Sequence, residues 1–348
     1  MSERTMNAIV FREHGGPEVL SYEQVPRPTP QAGEVLVRVR AASLNALDSL
    51  AREGRFATRL TLPHVGGSDA AGEIVEIGDC VHGLAVGDRV VIDSLLRCGR
   101  CDVCNVAGGD NLCSSSGLFG VDSWGGFAEY AAAPSTSVVC MPDGVSFDAA
   151  ASVVVAYTTA WHGLVSRASL TANDTLLVTA AGSGIGTASI QFGRLLGARV
   201  IATTSQEWKQ EKARELGADA VYDSRDPDSA SRVREFAGER GVTIAIDNLG
   251  AESLQETISC LGRGGRLACS GATTGREVSL NLVELYRNQL ALHFNAHGTG
   301  SELRTLLDLT DKERLQPVID SRFRMRDMVA AHEKLAASRQ FGKVVFTG

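Results

Sequence analysis

DTLLVTAAGSGIG (residues 174–186) is an apolar run that ends in a cluster of small residues. The segment TASIQFGRLLGA (187–198) follows with apolar side chains at helical spacing, and RVIATTS (199–205) is a second short apolar run. This order predicts a strand, a glycine turn, a helix and a second strand. It is the pattern of a parallel βαβ unit, and it decides the fold class of the chain.

The turn AAGSGIG (180–186) has the composition of a dinucleotide-binding turn. Small residues let the backbone approach a pyrophosphate, whose charge is bound by backbone amides and by the N-terminus of the following helix. Where G-x-G-x-x-G has glycines, this turn has Ala181, Ser183 and Gly186, and Gly184 adds a glycine between them. A tight turn without a ligand is the alternative, but the flanking strand and helix favour nucleotide binding.

The end of the second strand, in IATTSQEWK (201–209), indicates which nicotinamide cofactor is used. An acidic residue there would accept hydrogen bonds from the ribose hydroxyls of NAD(H) and repel a 2′-phosphate. Thr204, Ser205 and Lys209 instead provide hydroxyls and a positive charge, which suit the phosphate of NADP(H). Glu207 leaves NAD(H) open, as does the alternative that Lys209 is an ordinary solvated residue.

The segments on either side of this unit predict two domains. Helix and strand patterns alternate to about residue 296, beginning with a helix over ASVVVAYTTAWHGLV (151–165). The first 150 residues are instead rich in short strand patterns flanked by glycine. In GEVLVRVRAAS (33–43), Val35, Val37 and Val39 share one face and charged residues the other, which predicts a half-buried strand with the valines facing the core. The tail ends in another strand pattern, GKVVFTG. We therefore predict an α/β chain, with a β-barrel domain over 1–150 and 297–348 and a doubly wound parallel-sheet domain over 151–296.

The composition excludes several classes of function. The 348 residues are 44% hydrophobic and 22% charged, with a formal net charge of −7. An acidic chain is a poor partner for nucleic acid or anionic membranes, and no apolar run approaches the length of a membrane span. The first residues, MSERTMNAIVF, lack the apolar segment of a secretory signal. We therefore expect a cytoplasmic protein that acts on a small molecule.

A single stretch, CGRCDVCNVAGGDNLC (98–113), carries four of the eight cysteines of the chain. Thiols this close together indicate a metal site, and in a reducing compartment zinc fits four thiolates best. A closed four-thiolate site leaves no open position for water or substrate. We therefore predict one structural zinc, held by Cys98, Cys101, Cys104 and Cys113. The alternative is that these cysteines are reduced thiols without a metal.

Several segments of the chain resemble the medium-chain dehydrogenase/reductase superfamily, which includes zinc alcohol dehydrogenases and quinone oxidoreductases. The matching segments are AASLNALDSL (41–50), GGSDAAGEIVEIG (66–78), VGDRVV (86–91), GGFAEY (125–130), TTAWHGL (158–164), AAGSGIG (180–186), ELGAD (215–219) and the closing FGKVVF. The resemblance implies a GroES-like catalytic domain in two pieces, an inserted Rossmann domain, an active site in the cleft, and a homodimer or homotetramer. The family's structural zinc lobe has C-x2-C-x2-C-x7-C, whereas the last gap here is x8, with Gly108 and Gly109 available to absorb the extra residue.

The family's catalytic zinc ligands fall on residues that do not suit zinc. The two cysteine positions hold Asn45 and Val155, and the histidine and glutamate positions hold Ser68 and Asp69. Zinc prefers thiolate and imidazole ligands. His64 lies close enough in sequence to partner Asp69, but two ligands do not make a catalytic site. The resemblance therefore implies the zinc-free quinone oxidoreductase branch.

A site without zinc suits hydride addition to an enone or quinone better than alcohol oxidation. The charge spreads into an enolate that a few hydrogen-bond donors can hold. Asn45 and Ser68 are the candidate donors, while Asp48 either orients its neighbours or plays a purely structural part. For Tyr157, contact with the cofactor and simple helix packing are both open. The predicted catalytic set is Asn45, Asp48, Ser68 and Tyr157.

The predicted function is an NADPH-dependent reductase of quinones or α,β-unsaturated carbonyl compounds. One alternative is an alcohol dehydrogenase or carbonyl reductase with an unconventional site. The other is a catalytically weak NADPH-binding sensor or scaffold. The predicted cofactor-binding residues are Thr159, Ala181, Ser183, Gly184, Ile185, Gly186, Thr204, Ser205, Lys209, Asn248 and Gly271.

Overall fold

The computed structural model describes residues 4–56, 60–106 and 108–347. The chain divides into two compact units. The first comprises the chain up to Val155 together with the tail from Gly298, and the second runs from Ala156 to His297. None of the helices in the described ranges is both long and apolar enough to cross a membrane.

The N-terminal segment of the first unit is mostly strand. Its strands are β1 (Thr5–Val10), β2 (Ser21–Pro26), β3 (Glu34–Leu44), β4 (Asp69–Ile77), β5 (Arg89–Ile92), β6 (Leu95–Leu96), β7 (Gly117–Leu118), β8 (Tyr130–Pro134) and β9 (Val138–Cys140). Its helices are α1 (Ala46–Arg52) and α2 (Phe147–Val153), with short 3₁₀ turns at Pro17–Val19, Asp110–Leu112 and Ser135–Ser137. Two pairs, β1 with β2 and β6 with β7, form small antiparallel sheets.

The second unit confirms the predicted parallel sheet. Its strands are β10 (Thr175–Val178), β11 (Arg199–Thr204), β12 (Ala220–Asp223), β13 (Val242–Asp247), β14 (Leu261–Cys269) and β15 (Ala291–Phe294), in the order β12-β11-β10-β13-β14-β15. The helices are α3 (Val155–Trp161), α4 (Gly184–Leu196), α5 (Glu207–Leu216), α6 (Ser229–Ala237), α7 (Leu254–Ser259) and α8 (Leu282–Arg287). Because all these strands run parallel, their carboxyl ends, where ligands bind in such sheets, meet at one edge.

The tail returns to the sheet of the first unit. It consists of α9 (Gly300–Asp311), β16 (Ile319–Arg324), a 3₁₀ turn at Met325–Asp327, α10 (Met328–Ala336) and β17 (Lys343–Thr347). The resulting seven-stranded sheet has the order β16-β17-β3-β4-β5-β9, and β8 also pairs with β3. β17 lies directly beside β3, with Val344 opposite Leu44. This pairing carries Lys343 to the end of β3.

Strand β3 is buried on both faces along part of its length. Val35 and Val37, predicted to face the core, have no exposed surface, but Leu36 between them is equally buried. β3 pairs with β4, β8 and β17 and is therefore an inner strand of the sheet. The predicted alternation holds at Arg38 and Arg40, which are exposed, and fails at Leu36.

The helix predicted over residues 151–165 is interrupted. α2 begins earlier, at Phe147, because the Ser146 hydroxyl caps it by accepting a hydrogen bond from the amide of Ala149 at 3.2 Å. α2 ends before Val154, and α3 then leads into a π-helix over His162–Arg167. The apolar run located the helical region but did not reveal the break within it.

Strand β15 is the edge of the parallel sheet. Phe294 at its end is 59% exposed, and Leu282, Val283 and Tyr286 of the neighbouring helix α8 are also exposed. Self-association of the chain stays a prediction.

Candidate active site and metal centre

The first unit gathers Asn45, Asp48 and Ser68 into one buried hydrogen-bonded cluster. Asn45 precedes α1, and its backbone amide donates to Asp48 Oδ2 at 2.7 Å. The other oxygen of Asp48 accepts from the Ser68 amide and the Ser68 hydroxyl, both at 2.9 Å. The Asn45 side-chain Nδ2 donates to Ser68 Oγ at 3.1 Å. The capping of a short helix thus also fixes the side chains of the predicted donors.

The carboxyl group of Asp48 is buried, which makes its ionised form unfavourable. Burial, together with the nearby carboxylate of Asp69, raises the pKa of Asp48 to about 6, although the hydrogen bonds from Asn45 and Ser68 and the charge of Lys343 oppose the shift. A carboxyl group with this pKa changes protonation state near neutral pH. Protonation would reverse its hydrogen bond with Ser68, because a neutral carboxyl group can donate to that hydroxyl.

A buried ion pair, Lys343 with Asp69, borders this cluster. Asp69 Oδ2 accepts from Lys343 Nζ at 3.0 Å and from Ser43 Oγ at 2.5 Å, and its Oδ1 accepts from the Val155 amide at 3.0 Å. Lys343 Nζ also donates to Asn45 Oδ1 at 2.5 Å. Hydrogen bonds therefore link Asn45 with Ser68 and Asp69 with Val155, and Lys343 connects the two pairs. These are the four positions that align with the family's catalytic zinc ligands.

Helix α1 is anchored at its far end by a second buried group. The guanidinium of Arg52 lies 2.8 Å from His332 Nδ1 of α10, and Arg52 Nε donates to the Gly15 carbonyl at 3.0 Å. Burial and the adjacent Arg52 lower the pKa of His332 to about 3, so His332 is neutral and accepts the hydrogen bond. Both ends of α1 are thus fixed, which holds Asn45 and Asp48 in place.

The four clustered cysteines converge as a tetrahedral metal site requires. Their ligand atoms all lie within 4.8 Å of one another, and Sγ–Sγ distances include 3.4 Å for Cys101–Cys104, 3.6 Å for Cys98–Cys113 and 3.9 Å for Cys98–Cys104. A tetrahedral zinc with Zn–S bonds of about 2.3 Å separates its sulfurs by about 3.8 Å. Backbone amides of Arg100 and Cys101 lower the pKa of Cys98 to about 6, which favours its thiolate, whereas burial and the neighbouring thiols raise the pKa of Cys104. The donor set fits zinc.

The longer gap before Cys113 is accommodated by local backbone geometry. Gly108 has a φ of +75°, a conformation that favours glycine, and the 3₁₀ turn Asp110–Leu112 then leads to Cys113. Asp110 Oδ2 accepts from the Gly300 amide at 3.1 Å and pairs with Arg97 Nη1 at 3.1 Å. Asp110 thus ties the loop to the start of α9 through the Gly300 amide and to the residue before Cys98 through the ion pair with Arg97.

The glycine turn of the second unit has the shape of a phosphate cradle. Ser183 caps α4, and its hydroxyl accepts from the Gly186 amide at 2.9 Å. A Cβ at Gly186 would lie 2.3 Å from the Ala180 carbonyl oxygen, so only glycine fits. Within the described ranges, the amides of Gly184 and Ile185 have no hydrogen-bond acceptor. Free amides at the start of a 13-residue helix are the groups that bind a pyrophosphate.

Lys209 lies over this turn rather than in solvent. The side chain is 5% exposed, and a Cβ built on Gly182 would meet Lys209 Cδ at 2.6 Å and Nζ at 3.4 Å. Glu207, the competing residue, is exposed at the first position of α5. Thr204 is buried at the end of β11, and Ser205 next to it is half-buried. The lysine is thus close to the glycine turn, whereas the glutamate faces solvent.

Two more predicted cofactor residues lie at the carboxyl ends of neighbouring strands. Asn248, after β13, donates through Nδ2 to Ser183 Oγ at 3.1 Å. Gly271, after β14, has a φ of +151°, and a Cβ there would lie 2.5 Å from the Asn248 carbonyl oxygen. Asn248 is therefore tied directly to the glycine turn, with Gly271 packed closely beside it.

Other predicted residues have structural partners. Tyr157 is fully buried, packs edge-on against Phe192, and accepts from Gln191 Nε2 at 3.1 Å, which favours helix packing over catalysis. The Thr159 hydroxyl donates to the Ala296 carbonyl at 3.1 Å. His64 does not contact Asp69 as considered from sequence; its Nε2 lies 3.0 Å from the Gly120 carbonyl.

Comparison with known proteins identifies the family. Residues 31–143 match the model of the alcohol dehydrogenase GroES-like domain, and residues 184–312 match that of the zinc-binding dehydrogenases. The acryloyl-coenzyme A reductase of Metallosphaera sedula is 31% identical over 98% of this chain and 100% of its own length. The chain belongs to the medium-chain dehydrogenase/reductase superfamily. It is an NAD(P)H-dependent oxidoreductase of that superfamily, with a GroES-like and a Rossmann domain.

Further similarities within the superfamily span the whole chain. Human quinone oxidoreductase is 27% identical over 99% of this chain and 98% of its own length. A solved structure described as an NAD-dependent alcohol dehydrogenase is 38% identical, with a TM-score of 0.93 over 99% of this chain and 100% of the other. These relatives include different reactions and cofactors, so the substrate has to be inferred from the site.

Sequence reasoning missed Lys343 and Ser43 as parts of the site. Ser43 is the last residue of the strand pattern at 33–43 and lies two residues before Asn45, and this position next to a candidate donor could have indicated it. Lys343 is the only charged residue in the closing FGKVVF, and a lysine that begins an otherwise apolar strand was the available signal.

Proposed function

We propose that this chain transfers a hydride from NADPH to a quinone or to an α,β-unsaturated carbonyl compound. The observation that carries the proposal is the position of the Asn45 side-chain amide, which is 8% exposed and is hydrogen-bonded to Ser68 and Lys343. The residues around it do not form a zinc ligand set. With an enone, the reduction breaks the C=C π bond and forms two C–H bonds, one from the hydride at the β-carbon and one from a solvent-derived proton at the α-carbon. With a quinone, the hydride and a proton give the hydroquinone. NADPH, when bound, supplies the hydride.

Asn45 supports this chemistry through its remaining N–H group. Its Oδ1 accepts from Lys343, and one of its two Nδ2 protons goes to Ser68. The second proton has no acceptor among the described residues, so it is available to a substrate carbonyl oxygen. A fixed donor of this kind stabilises an enolate without having to reorganise during the reaction.

Ser68 is a second candidate donor to the substrate carbonyl oxygen, and whether it can donate depends on the protonation state of Asp48. With Asp48 ionised, the Ser68 hydroxyl donates to the carboxylate at 2.9 Å. With Asp48 neutral, the carboxyl group donates to Ser68 Oγ, and the serine proton becomes free for the substrate. The neutral form of Asp48 is therefore the form in which Ser68 serves as a donor.

NADPH rather than NADH is supported by the position of Lys209. The buried ammonium group near Gly182 can meet a 2′-phosphate, while Glu207 is exposed. The glycine turn and the start of α4 would hold the pyrophosphate, and Asn248 fixes the turn through Ser183. None of these residues would repel the 2′-phosphate of NADPH.

Reduction of a simple carbonyl group is the second candidate, and the likeness to a structure described as an alcohol dehydrogenase favours it. A panel of NADPH and NADH with an enone, a quinone, an aldehyde and an alcohol separates the candidates. The proposal expects NADPH oxidation with the enone or quinone and little with the aldehyde. Aldehyde reduction without enone reduction would contradict it, and tight NADPH binding without any turnover would favour a sensor.

Removing the metal centre is expected to lower stability without removing the active site. We propose one structural zinc per chain at Cys98, Cys101, Cys104 and Cys113. Cys104→Ser should eliminate the zinc measured by mass spectrometry and lower Tm by roughly 10 °C, because metal binding and folding are coupled. Cys140→Ser changes an exposed cysteine outside the cluster and should leave both values unchanged. Two zinc ions in the wild type would contradict the zinc-free active site.

The rate of enone reduction is expected to fall as pH rises through about 6, the pKa to which burial raises Asp48. Below this pH, Asp48 is neutral and Ser68 is free to donate; above it, the carboxylate takes the serine proton. A profile of kcat from pH 5 to 8 tests this. Asp48→Asn keeps a donor toward Ser68 at all pH values and should give a flat profile. A wild-type profile without this transition would contradict the role of Asp48.

A further inference from the structure

The ammonium group of Lys343 is fully engaged inside the site. It donates to the Leu44 carbonyl at 3.1 Å, Asn45 Oδ1 at 2.5 Å and Asp69 Oδ2 at 3.0 Å. A lysine has three N–H donors and no acceptor, so this geometry uses all of them. Lys343 is 2% exposed and Asp69 is fully buried. The lysine therefore acts on these neighbours rather than on a ligand of its own.

The contact with Asn45 determines which way the amide faces. Because Oδ1 accepts from a cation, the NH₂ group must point the opposite way. One of its protons then faces Ser68, and the other is the proton that we assign to the substrate oxygen. A cation on the amide oxygen also draws electron density from the nitrogen and makes its N–H groups stronger donors. Lys343 thereby both orients and polarises the group that we assign to the substrate oxygen.

The partner of Lys343 does not require the lysine for its hydrogen bonds. Asp69 also accepts from Ser43 Oγ and from the Val155 amide, so both carboxylate oxygens have other donors. Buried ion pairs can often be replaced by neutral groups without loss of stability, provided that both charges are removed together. The pair is thus not explained by stability alone.

We propose that Lys343 is a positioning residue of the reduction, which fixes and polarises the Asn45 amide for the substrate's carbonyl oxygen. The inference rests on the proposed function. Asp69 holds the lysine in place, and the two charges together keep the region neutral. Two of the positions that align with catalytic zinc ligands, Asn45 and Asp69, thus orient a side-chain amide for the substrate and do not bind a metal.

The test compares D69N with K343M/D69N, so that the two variants differ only in the lysine. D69N keeps the ammonium group on Asn45, and the double variant removes it without leaving a buried unpaired carboxylate. Enone kcat, enone KM, the Kd for NADPH and Tm are measured for both. We expect K343M/D69N to melt at or above D69N, in which the buried ammonium group has lost its carboxylate partner. We also expect its kcat to be about 10–100-fold lower, the range found when a residue that orients a metal ligand is replaced.

The same comparison in an N45A background shows whether the effect passes through Asn45. There, removing the lysine should change kcat by less than about 3-fold, because its target is gone. Equal losses in both backgrounds would overturn the inference, as would an unchanged kcat in K343M/D69N. A loss confined to the Kd for NADPH would assign Lys343 to the cofactor and would also overturn it.

A spectroscopic measurement keeps the inference separate from the proposed reaction. The side-chain NH₂ signals of Asn45 are identified by their loss in N45A and compared between D69N and K343M/D69N. We expect an upfield shift when the cation is removed, whether or not any enone is reduced. Unchanged signals would overturn the inference even if the wild type reduces enones, while wild-type inactivity with shifted signals would count only against the proposed function.

Should K343M/D69N fail to fold, K343Q/D69N replaces it, with the same signals and kcat as readouts.

Discussion

Replacing Asn45 by alanine is expected to lower kcat for enone reduction by about 10²–10³-fold, with a small change in the Kd for NADPH. Loss of one preorganised donor to a developing oxyanion has an effect of this size. The N–H group of Asn45 that has no internal acceptor is the donor in question. Stopped-flow measurement of NADPH oxidation at saturating enone reports the chemical step.

Two variants on the same helix control this result. Ser49→Ala removes a hydroxyl of α1 that lies 3.2 Å from His332 Nδ1, and we expect a kcat within about 2-fold of the wild type. Asn45→Asp keeps an oxygen for Lys343 but removes the N–H donors, so it should be as slow as Asn45→Ala. A fast Asn45→Asp enzyme would show that the amide protons are not used.

Replacing Lys209 by alanine is expected to weaken NADPH binding by about 10–100-fold and to leave NADH binding nearly unchanged. A charge-assisted hydrogen bond to a phosphate contributes roughly 1.5–3 kcal/mol, which corresponds to this range. Only the 2′-phosphate distinguishes the two cofactors, so the ratio of their Kd values isolates the contact. Fluorescence titration with each cofactor measures both constants.

Lys212→Ala is the matched control for Lys209. Both lysines belong to α5 and both lie 5.3 Å from the centre of the Trp208 ring, but Lys212 is exposed while Lys209 is buried. The control should leave the Kd for NADPH within about 2-fold of the wild type, since an exposed lysine contributes little. Equal effects from the two variants would mean that NADPH responds to general positive charge, and a wild-type preference for NADH would reject the phosphate assignment.

The parts of the site that sequence predicted depend on short segments. The glycine turn, its strand and its helix are contiguous, so local patterns were enough to place Ser183, Gly184 and Gly186. The four cysteines lie within 16 residues, and their spacing alone indicated the metal site. Even the extra residue before Cys113 had a local solution at Gly108, whose φ is +75°.

The parts that sequence missed depend on distant segments. Lys343 is 298 positions from Asn45, and only the pairing of β17 with β3 brings them together. No periodicity in either segment carries that information. The same holds for Asp110, which contacts the start of α9 across 190 positions.

Tyr157 shows how a side chain's surroundings depend on another segment. Sequence left contact with the cofactor and helix packing both open, and the structure favours packing, because the ring is buried against Phe192 and the hydroxyl accepts from Gln191. Burial of a tyrosine is set by the helix that packs opposite it, here α4, and the sequence of α3 alone does not specify that partner. The break at Val154 escaped notice for a related reason, because an apolar run gives no sign of where a helix is interrupted.

Tracing the hydride tests the central claim most directly. With NADPH carrying deuterium at the transferable position of the nicotinamide, an enone is reduced to completion and the product is examined by NMR. The account predicts one deuterium at the β-carbon of a saturated ketone, with a solvent-derived hydrogen at the α-carbon. Deuterium on the carbonyl carbon of an allylic alcohol would contradict it and would make the protein a carbonyl reductase.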